Sequence, residues 1–323
     1  MSDSDTFPAP SAADELSALR TELAGLTTEA VDAAMGDLDL RSTEELVLAM
    51  NSEDARVPLA VRAAAPAIAR AVDGIAERMQ RGGRLVYLGA GTSGRLGVLD
   101  ASECPPTFGI DPERVVGLIA GGDRALRHSV EAAEDAAGQG RDTVDGVALG
   151  PDDVLVGIAA SGRTPFVVGA LERARELGAL TVALSCNAGS RTGAVADIAI
   201  EVVVGPEFIA GSTRLKSGTA EKLVLNMLST LTMVRLGKTY GNVMIDVRAT
   251  NDKLRARAQR TVMSVTGCGV DEVSTALAAA GGSAKTATLM LLAGVSAAEA
   301  EARLERSGGT LRAALANPEE EAV

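Results

Sequence analysis

The chain has 323 residues and a formal net charge of −12, which argues against a nucleic-acid partner, because phosphate backbones are bound by an excess of Lys and Arg. With 46% hydrophobic residues, no Trp and only four Phe and two Tyr, it can bury a full core of Ala, Val, Leu and Ile, as suits helices packed on a parallel sheet. Cys104, Cys186 and Cys268 form no CxxC pair, the N-terminus lacks a signal pattern, and no apolar run approaches the roughly 20 residues of a membrane helix; a cytoplasmic protein with no disulfides and no membrane partner is expected.

Residues 1–13 read as a disordered extension and Asp14–Leu26 as a short helix. Residues 27–42 are a loop or a partly formed helix, and Thr43–Asn51 is helical. Pro58–Arg81 reads as one long amphipathic helix that Pro66 should kink or split. Arg84–Leu88 is the first strand, Gly89–Gly94 a glycine-rich turn, and Arg95–Glu103 a helix expected to stop before Pro105. Val115–Ala120 is the second strand. It leads to a helix over Asp123–Ala137, with Asp123 as its cap. The third, fourth and fifth strands are Val154–Ala159, Leu180–Ser185 and Ile198–Val204. A helix ending near Leu177 is closed by Gly178, and a long helix ends near Leu236. Alternating strands and helices predict an α/β doubly wound five-stranded parallel sheet, with ligands where strands end and helices begin. Asp271–Ala280, Ala284–Leu292 and Ala297–Ser307 form a small C-terminal three-helix domain. The expected divisions are an extension at 1–26, an α/β domain at 27–256 and a helical domain at 257–323.

Gly89-Ala-Gly91-Thr-Ser-Gly94 fits GxGxxG literally, but that fingerprint also needs an acidic residue ~20 positions on. Asp123 lies too far along, and Asp100 and Glu103 come too early, so a nicotinamide cofactor is disfavoured. This turn carries Thr92 and Ser93; the turn after the third strand carries Ser161, Gly162, Arg163 and Thr164. Two hydroxyl-rich turns at helix N-termini suit a phosphomonoester. The competing reading is that the Ser and Thr side chains only cap helices. Glu103 is either an exposed helix-terminal residue or a carboxyl that the helix C-terminus holds protonated as a general acid. Glu131, Glu134 and Asp135 lie off the apolar stripe of their helix and read as a solvated acidic face. His128, the only histidine, is a surface or capping residue. It leaves no His-rich metal site, so carboxylates are expected to move the protons.

At these residues the chain resembles the N-acetylmuramic acid 6-phosphate etherases, members of the sugar isomerase (SIS) superfamily related to the glucokinase regulatory proteins. The resemblance runs through Gly82–Gly97, Asp100-Ala-Ser-Glu103-Cys-Pro-Pro-Thr-Phe-Gly109, Gly117–Gly122, Ala133-Glu134-Asp135, Ser161–Pro165, Gly211–Ala220 and Gly241–Asp246, within about Thr43 to Leu315. It is most specific at Glu-Cys-Pro-Pro-Thr-Phe-Gly. It implies Glu103 and Glu134 as the two catalytic acid/base glutamates. It implies phosphate-binding hydroxyls at Ser93, Ser161 and Thr164, with Thr92, Gly94, Gly162 and Arg163 beside them. It further implies a lyase that removes D-lactate from a phosphorylated amino sugar without metal or cofactor, a homodimer with sites near the subunit interface, and a ubiquitin-associated-like C-terminal domain. The alternative in the same superfamily is a non-catalytic sugar-phosphate-binding regulator.

Overall fold

The computed structural model describes residues 17, 20, 21, 23–128, 130, 133–246 and 252–316. The extension over 1–13 and most of the expected 14–26 helix lie outside these residues. From Thr27 to Leu40 the chain makes three short 3-10 turns. Helix α1 (Thr43–Asp54) then starts at Ser42, which forms a capping box with Glu45. The expected long helix is two: α2 (Val57–Ala63) and α3 (Ala65–Gln80). Pro66 sits in the first turn of α3, where its missing N–H costs nothing.

The α/β core follows as β1 (Leu85–Gly89), α4 (Gly91–Phe108), β2 (Val115–Ile119), α5 (Arg124–Arg127), α6 (Ala137–Gly146), β3 (Val154–Ile158), α7 (Pro165–Glu176), β4 (Leu180–Ser185), α8 (Arg191–Val195), β5 (Ile198–Glu201) and α9 (Lys216–Arg235). All five strands are parallel, in the order β2-β1-β3-β4-β5. Period-2 alternation sorts their side chains. Leu85, Tyr87, Val154, Val156 and Val182 face α2, α3, α4 and α9; Val86, Leu88, Leu155 and Ala183 face α6 and α7. The stripe Ile68, Ala71, Val72, Ile75 and Met79 explains why α3 lies on the sheet. Arg84 locks the starts of β1 and β3 together: its backbone N–H, Nε and Nη2 all donate to the Asp153 carboxylate. Burial pushes the Asp153 carboxyl up, but these donors hold it below its ordinary value.

Two expectations are corrected. First, α4 does not stop at Glu103 but runs through Pro105 and Pro106 to Phe108, and Gly109, in the left-handed conformation, caps it. Ala101, Cys104 and Phe108 lie on one face and are buried in the core, and that packing outweighs the steric preference of the residue before proline. Glu103 is therefore one turn inside the helix rather than at its end, and the helix-terminus argument for it weakens. Second, no helix spans Asp123–Ala137. After α5, whose cap residue Asp123 makes no side-chain bond, the chain extends at His128, and Glu134 lies in a bend before α6. Glu131 lies outside the described residues. Gly140 lets α6 approach α7: a Cβ there would stand 2.0 Å from the Phe166 carbonyl oxygen.

A hairpin, β6 (Thr239–Tyr240) with β7 (Val243–Met244), follows α9. The described residues of the C-terminal region form five helices: α10 (Asp252–Thr266), α11 (Val270–Ala279), α12 (Ala284–Ala293), α13 (Ala297–Arg306) and α14 (Leu311–Leu315). The three expected ones are the middle three, around small cores of their own. Lys285 ties them to the hairpin through Asp246 at 3.2 Å, and Arg312 stacks over Tyr240. Among the described helices none is long and apolar enough to cross a membrane.

Candidate active site

In the order 2-1-3-4-5 the chain reverses its direction of build between β1 and β3, and the crevice beyond the carboxyl ends of those two strands is the place where such sheets bind ligands. Gly89 and Ile158, the last residues of β1 and β3, are register partners. The two hydroxyl-bearing turns singled out from the sequence therefore leave the sheet side by side. A cleft of about 800 Å³, lined by Met79, Arg114, Lys238 and Thr310 among others, touches the opposite edge of the sheet and gathers none of these groups.

The turn after β1 is shaped by glycine. Gly91 has φ +54, and a Cβ on Gly94 would stand 2.6 Å from the Gly89 carbonyl oxygen, so the first turn of α4 lies directly on the strand it leaves. The first intrahelical donor is Gly94, whose N–H bonds the Ala90 carbonyl. The N–H groups of Gly91, Thr92 and Ser93 precede it at the positive end of the helix. Ser93 does not cap α4; its hydroxyl lies 2.8 Å from Glu221 Oε1 on α9. The N-terminus of α9, by contrast, is closed: Glu207 accepts from the N–H groups of Lys216 and Ser217 at 2.8 and 2.9 Å.

The turn after β3 is clamped from outside. Asn187 Nδ2 donates to the Ala160 and Ser161 carbonyls, while its Oδ1 accepts from the backbone and hydroxyl of Thr27. Gly162, at φ +71, passes so near Ser190 that a Cβ would stand 2.4 Å from the Ser190 Cβ. The Ser161 hydroxyl accepts from the Arg163 N–H at 3.4 Å, and Thr164 precedes α7 without a side-chain cap bond. Capping therefore does not account for Ser93 or Thr164. Glu134 is joined to this turn, because its carbonyl accepts from the Phe166 N–H at 3.1 Å.

Glu103 is elsewhere. Ten residues of helix separate it from Ser93, about 15 Å of rise. It is exposed and lines a small groove between α4 and α9 with Leu96, Asp100, Lys222, Leu225 and Asn226. The groove floor is rigid: Asp100 accepts from Tyr87 Oη at 3.0 Å and from Asn226 Nδ2 at 2.7 Å. Within one chain the structure thus brings Ser93, Ser161, Gly162, Arg163, Thr164 and Glu134 to one end of the sheet and leaves Glu103 on the flank. His128 is exposed at the end of α5.

Sequence reasoning missed Asn187, Lys222, Asn226 and Glu221. Glu221 had a signal, for with Val224, Leu225 and Leu228 it stands at helical spacing on the apolar side of α9, where a charged residue is out of place. Asn187 had none, since its partners are distant in sequence. Among the described residues no cluster of His, Cys, Asp and Glu could hold a metal ion.

Two family models match: a glucokinase regulatory protein N-terminal SIS domain over residues 67–175 and an SIS domain over 136–231. Full-length relatives are closer. The chain is 59% identical to the N-acetylmuramic acid 6-phosphate etherase of Streptomyces avermitilis, over 92% of this chain and 96% of that one. It is 56% identical to that of Rubrobacter xylanophilus, over 91% and 97%, and 54% identical to that of Mycolicibacterium smegmatis, over 91% and 99%. Among solved structures, a phosphoheptose isomerase from Francisella tularensis is 21% identical, covering 60% of this chain and 100% of that one, with a TM-score of 0.46.

Proposed function

This chain belongs to the N-acetylmuramic acid 6-phosphate etherases, and on that premise we propose that it is a carbon–oxygen lyase acting on N-acetylmuramic acid 6-phosphate in cell-wall amino sugar recycling, releasing D-lactate and N-acetylglucosamine 6-phosphate. The observation that carries the site assignment is the pair of hydroxyl-bearing turns at the β1/β3 switch point, neither explained by helix capping. They hold the 6-phosphate through the N–H groups and hydroxyls of Thr92, Ser93, Ser161, Gly162, Arg163 and Thr164, with Gly94 giving the turn its close seat on β1.

In the open-chain sugar the C2 proton is acidified by the neighbouring aldehyde. A base removes it, the C3–O bond to lactate breaks as C2=C3 forms, and a proton is delivered to the departing oxygen. Water then adds its OH to C3 and a proton returns to C2, so the net change is hydrolysis of the ether. Glu103 protonates the departing lactate, and Glu134, joined to the phosphate turn through Phe166, works on C2–H or the water. Each role is typically worth ~10²–10⁴ in rate. Lys222, in the groove with Glu103, is placed by this reading against the lactyl carboxylate.

The roughly 15 Å of helix between Ser93 and Glu103 supports a homodimer in which the phosphate turns of one copy meet Glu103 of the other. An apolar row on the solvent side of α9, Met227, Leu231 and Val234, with Leu99 of α4, is exposed for such a contact. The sugar-phosphate-binding regulator is the weaker reading, because the etherase relatives match nearly the whole chain. The test is a coupled D-lactate assay with N-acetylmuramic acid 6-phosphate. Release of stoichiometric D-lactate is expected, whereas binding of the sugar phosphate without lactate would favour the regulator.

A further inference from the structure

Among the buried acids that the elimination and water addition leave unused, Glu221 stands directly behind the phosphate turn. Glu221 is fully enclosed. Its Oε1 meets the Ser93 hydroxyl at 2.8 Å, while its Oε2 and the hydroxyl of Ser217, one turn earlier on the same face of α9, are buried without any hydrogen-bond partner. Among the described residues no cation neutralises it: the neighbouring buried base, Lys216, is paired with Glu53 at 2.6 Å. The ionisable groups that face it are Glu207, on the loop after β5, and Cys186, just beyond β4. Both are acids, and neither favours a second negative charge. A carboxylate removed from water and given a single hydroxyl donor is much less favourable than the neutral acid.

We infer that Glu221 is a positioning residue that works as a neutral acid, donating its carboxyl proton to Ser93 Oγ so that the Ser93 hydroxyl proton turns outward to the substrate phosphate. This rests on the assignment of Ser93 to the phosphate site. A serine hydroxyl has one proton to give. Facing a carboxylate, Ser93 must spend it inward; facing a carboxylic acid, it accepts from behind and donates forward. Burial pushes the Glu221 carboxyl up to about 8, with the Ser93 hydrogen bond opposing and Glu207 assisting. As pH rises through that value the proton is lost, Ser93 turns back, and a buried negative charge stands behind the bound phosphate. Phosphate affinity therefore falls on the alkaline side.

The experiment is KM and kcat for N-acetylmuramic acid 6-phosphate between pH 7 and 9.5, in wild type, Glu221→Gln, Glu221→Leu and Ser93→Ala. The phosphate monoester, with a second pKa near ~6, stays a dianion across this range. Burial has raised Cys104 to about 12 and pushed Cys186 well above its ordinary value, so neither thiol titrates there. Wild-type KM is expected to rise about tenfold between pH 7 and 9, the linkage expected of one proton with a pKa near 8, with little change in kcat. Glu221→Gln, whose amide donates at every pH, is expected to give a level KM; Glu221→Leu is expected to raise it at all pH values. A level wild-type profile, or an equal rise in wild type and Glu221→Gln, would overturn the inference while Ser93→Ala still raises KM. An unchanged KM in Ser93→Ala would instead overturn the Ser93 assignment, and the inference with it.

Discussion

The two ends of α4 are built on opposite plans. At its N-terminus the turn is held from behind: Gly94 lies on Gly89, Ser93 is 7% exposed and bonded to Glu221, and the neighbouring turn is gripped by Asn187. Toward its other end, Glu103 faces solvent from an open groove, with Leu99 beside it 53% exposed. On the proposed assignment, the anion-binding half of the site is preorganised within one chain, where donors are held in place before substrate arrives. On the same assignment, the proton-donating half is completed only when another surface covers it. A buried, hydrogen-bonded loop gains affinity by rigidity, whereas a carboxyl that must protonate a leaving group gains from being enclosed only around bound substrate.

That contrast can be broken most severely at Glu103. Glu103→Gln is expected to lower kcat by about 10³-fold, within the usual range for a general acid, while the Kd for N-acetylglucosamine 6-phosphate stays within about twofold; loss of both together would mean a folding defect rather than a lost proton. Next comes the exposed row on α9. Met227→Asp with Leu231→Asp is expected to shift the protein to monomer in sedimentation and to cut activity at least tenfold, since charges at the core of a contact leave it unpaired and desolvated. A fully active monomer would refute the two-copy arrangement. At the phosphate end, Ser161→Ala removes a hydrogen bond to a charged group worth ~1.5–3 kcal/mol. KM is expected to rise by about ten- to a hundredfold with kcat nearly kept, and an unchanged KM would remove Ser161 from the site. The mildest change is Lys222→Met. KM for the lactyl sugar is expected to rise about threefold, as for a partly exposed ion pair, while inhibition by N-acetylglucosamine 6-phosphate, which has no carboxylate, should not change.

The sequence exposes these regions unequally. The five strands are legible because each is a short apolar run, four of them closely followed by glycine or serine, and the phosphate turns are legible because they sit where such runs end. Their meeting is not, since it depends on the strand order that sets β1 beside β3. Proline's local rule cuts α4 short, because it takes no account of the core contacts of Cys104 and Phe108 that override it. The bend holding Glu134 has the look of a helix because Leu126, Val130, Ala133 and Ala137 have helical spacing; in the fold the Glu134 carbonyl is instead taken by the Phe166 N–H. Both glutamates are identified by family resemblance, since exposed acids look alike in composition and periodicity. Glu221 shows the converse, an acid whose neighbours in the helix repeat mark it as buried once the repeat is followed.

The two-copy arrangement is tested most directly by mixing two impaired variants and assaying them at substrate well below the wild-type KM, where the raised KM of the phosphate-turn variant leaves it nearly inactive. Glu103→Gln keeps its phosphate turns, and a protein carrying Ser93→Ala with Ser161→Ala keeps Glu103. After the two are unfolded and refolded together, half the dimers are mixed and each mixed dimer contains one intact site, so D-lactate release is expected to recover to about a quarter of the wild-type rate. If the mixed sample releases no more lactate than the two variants measured separately, Glu103 and the phosphate turns act within one chain, and the two ends of α4 do not serve different active sites.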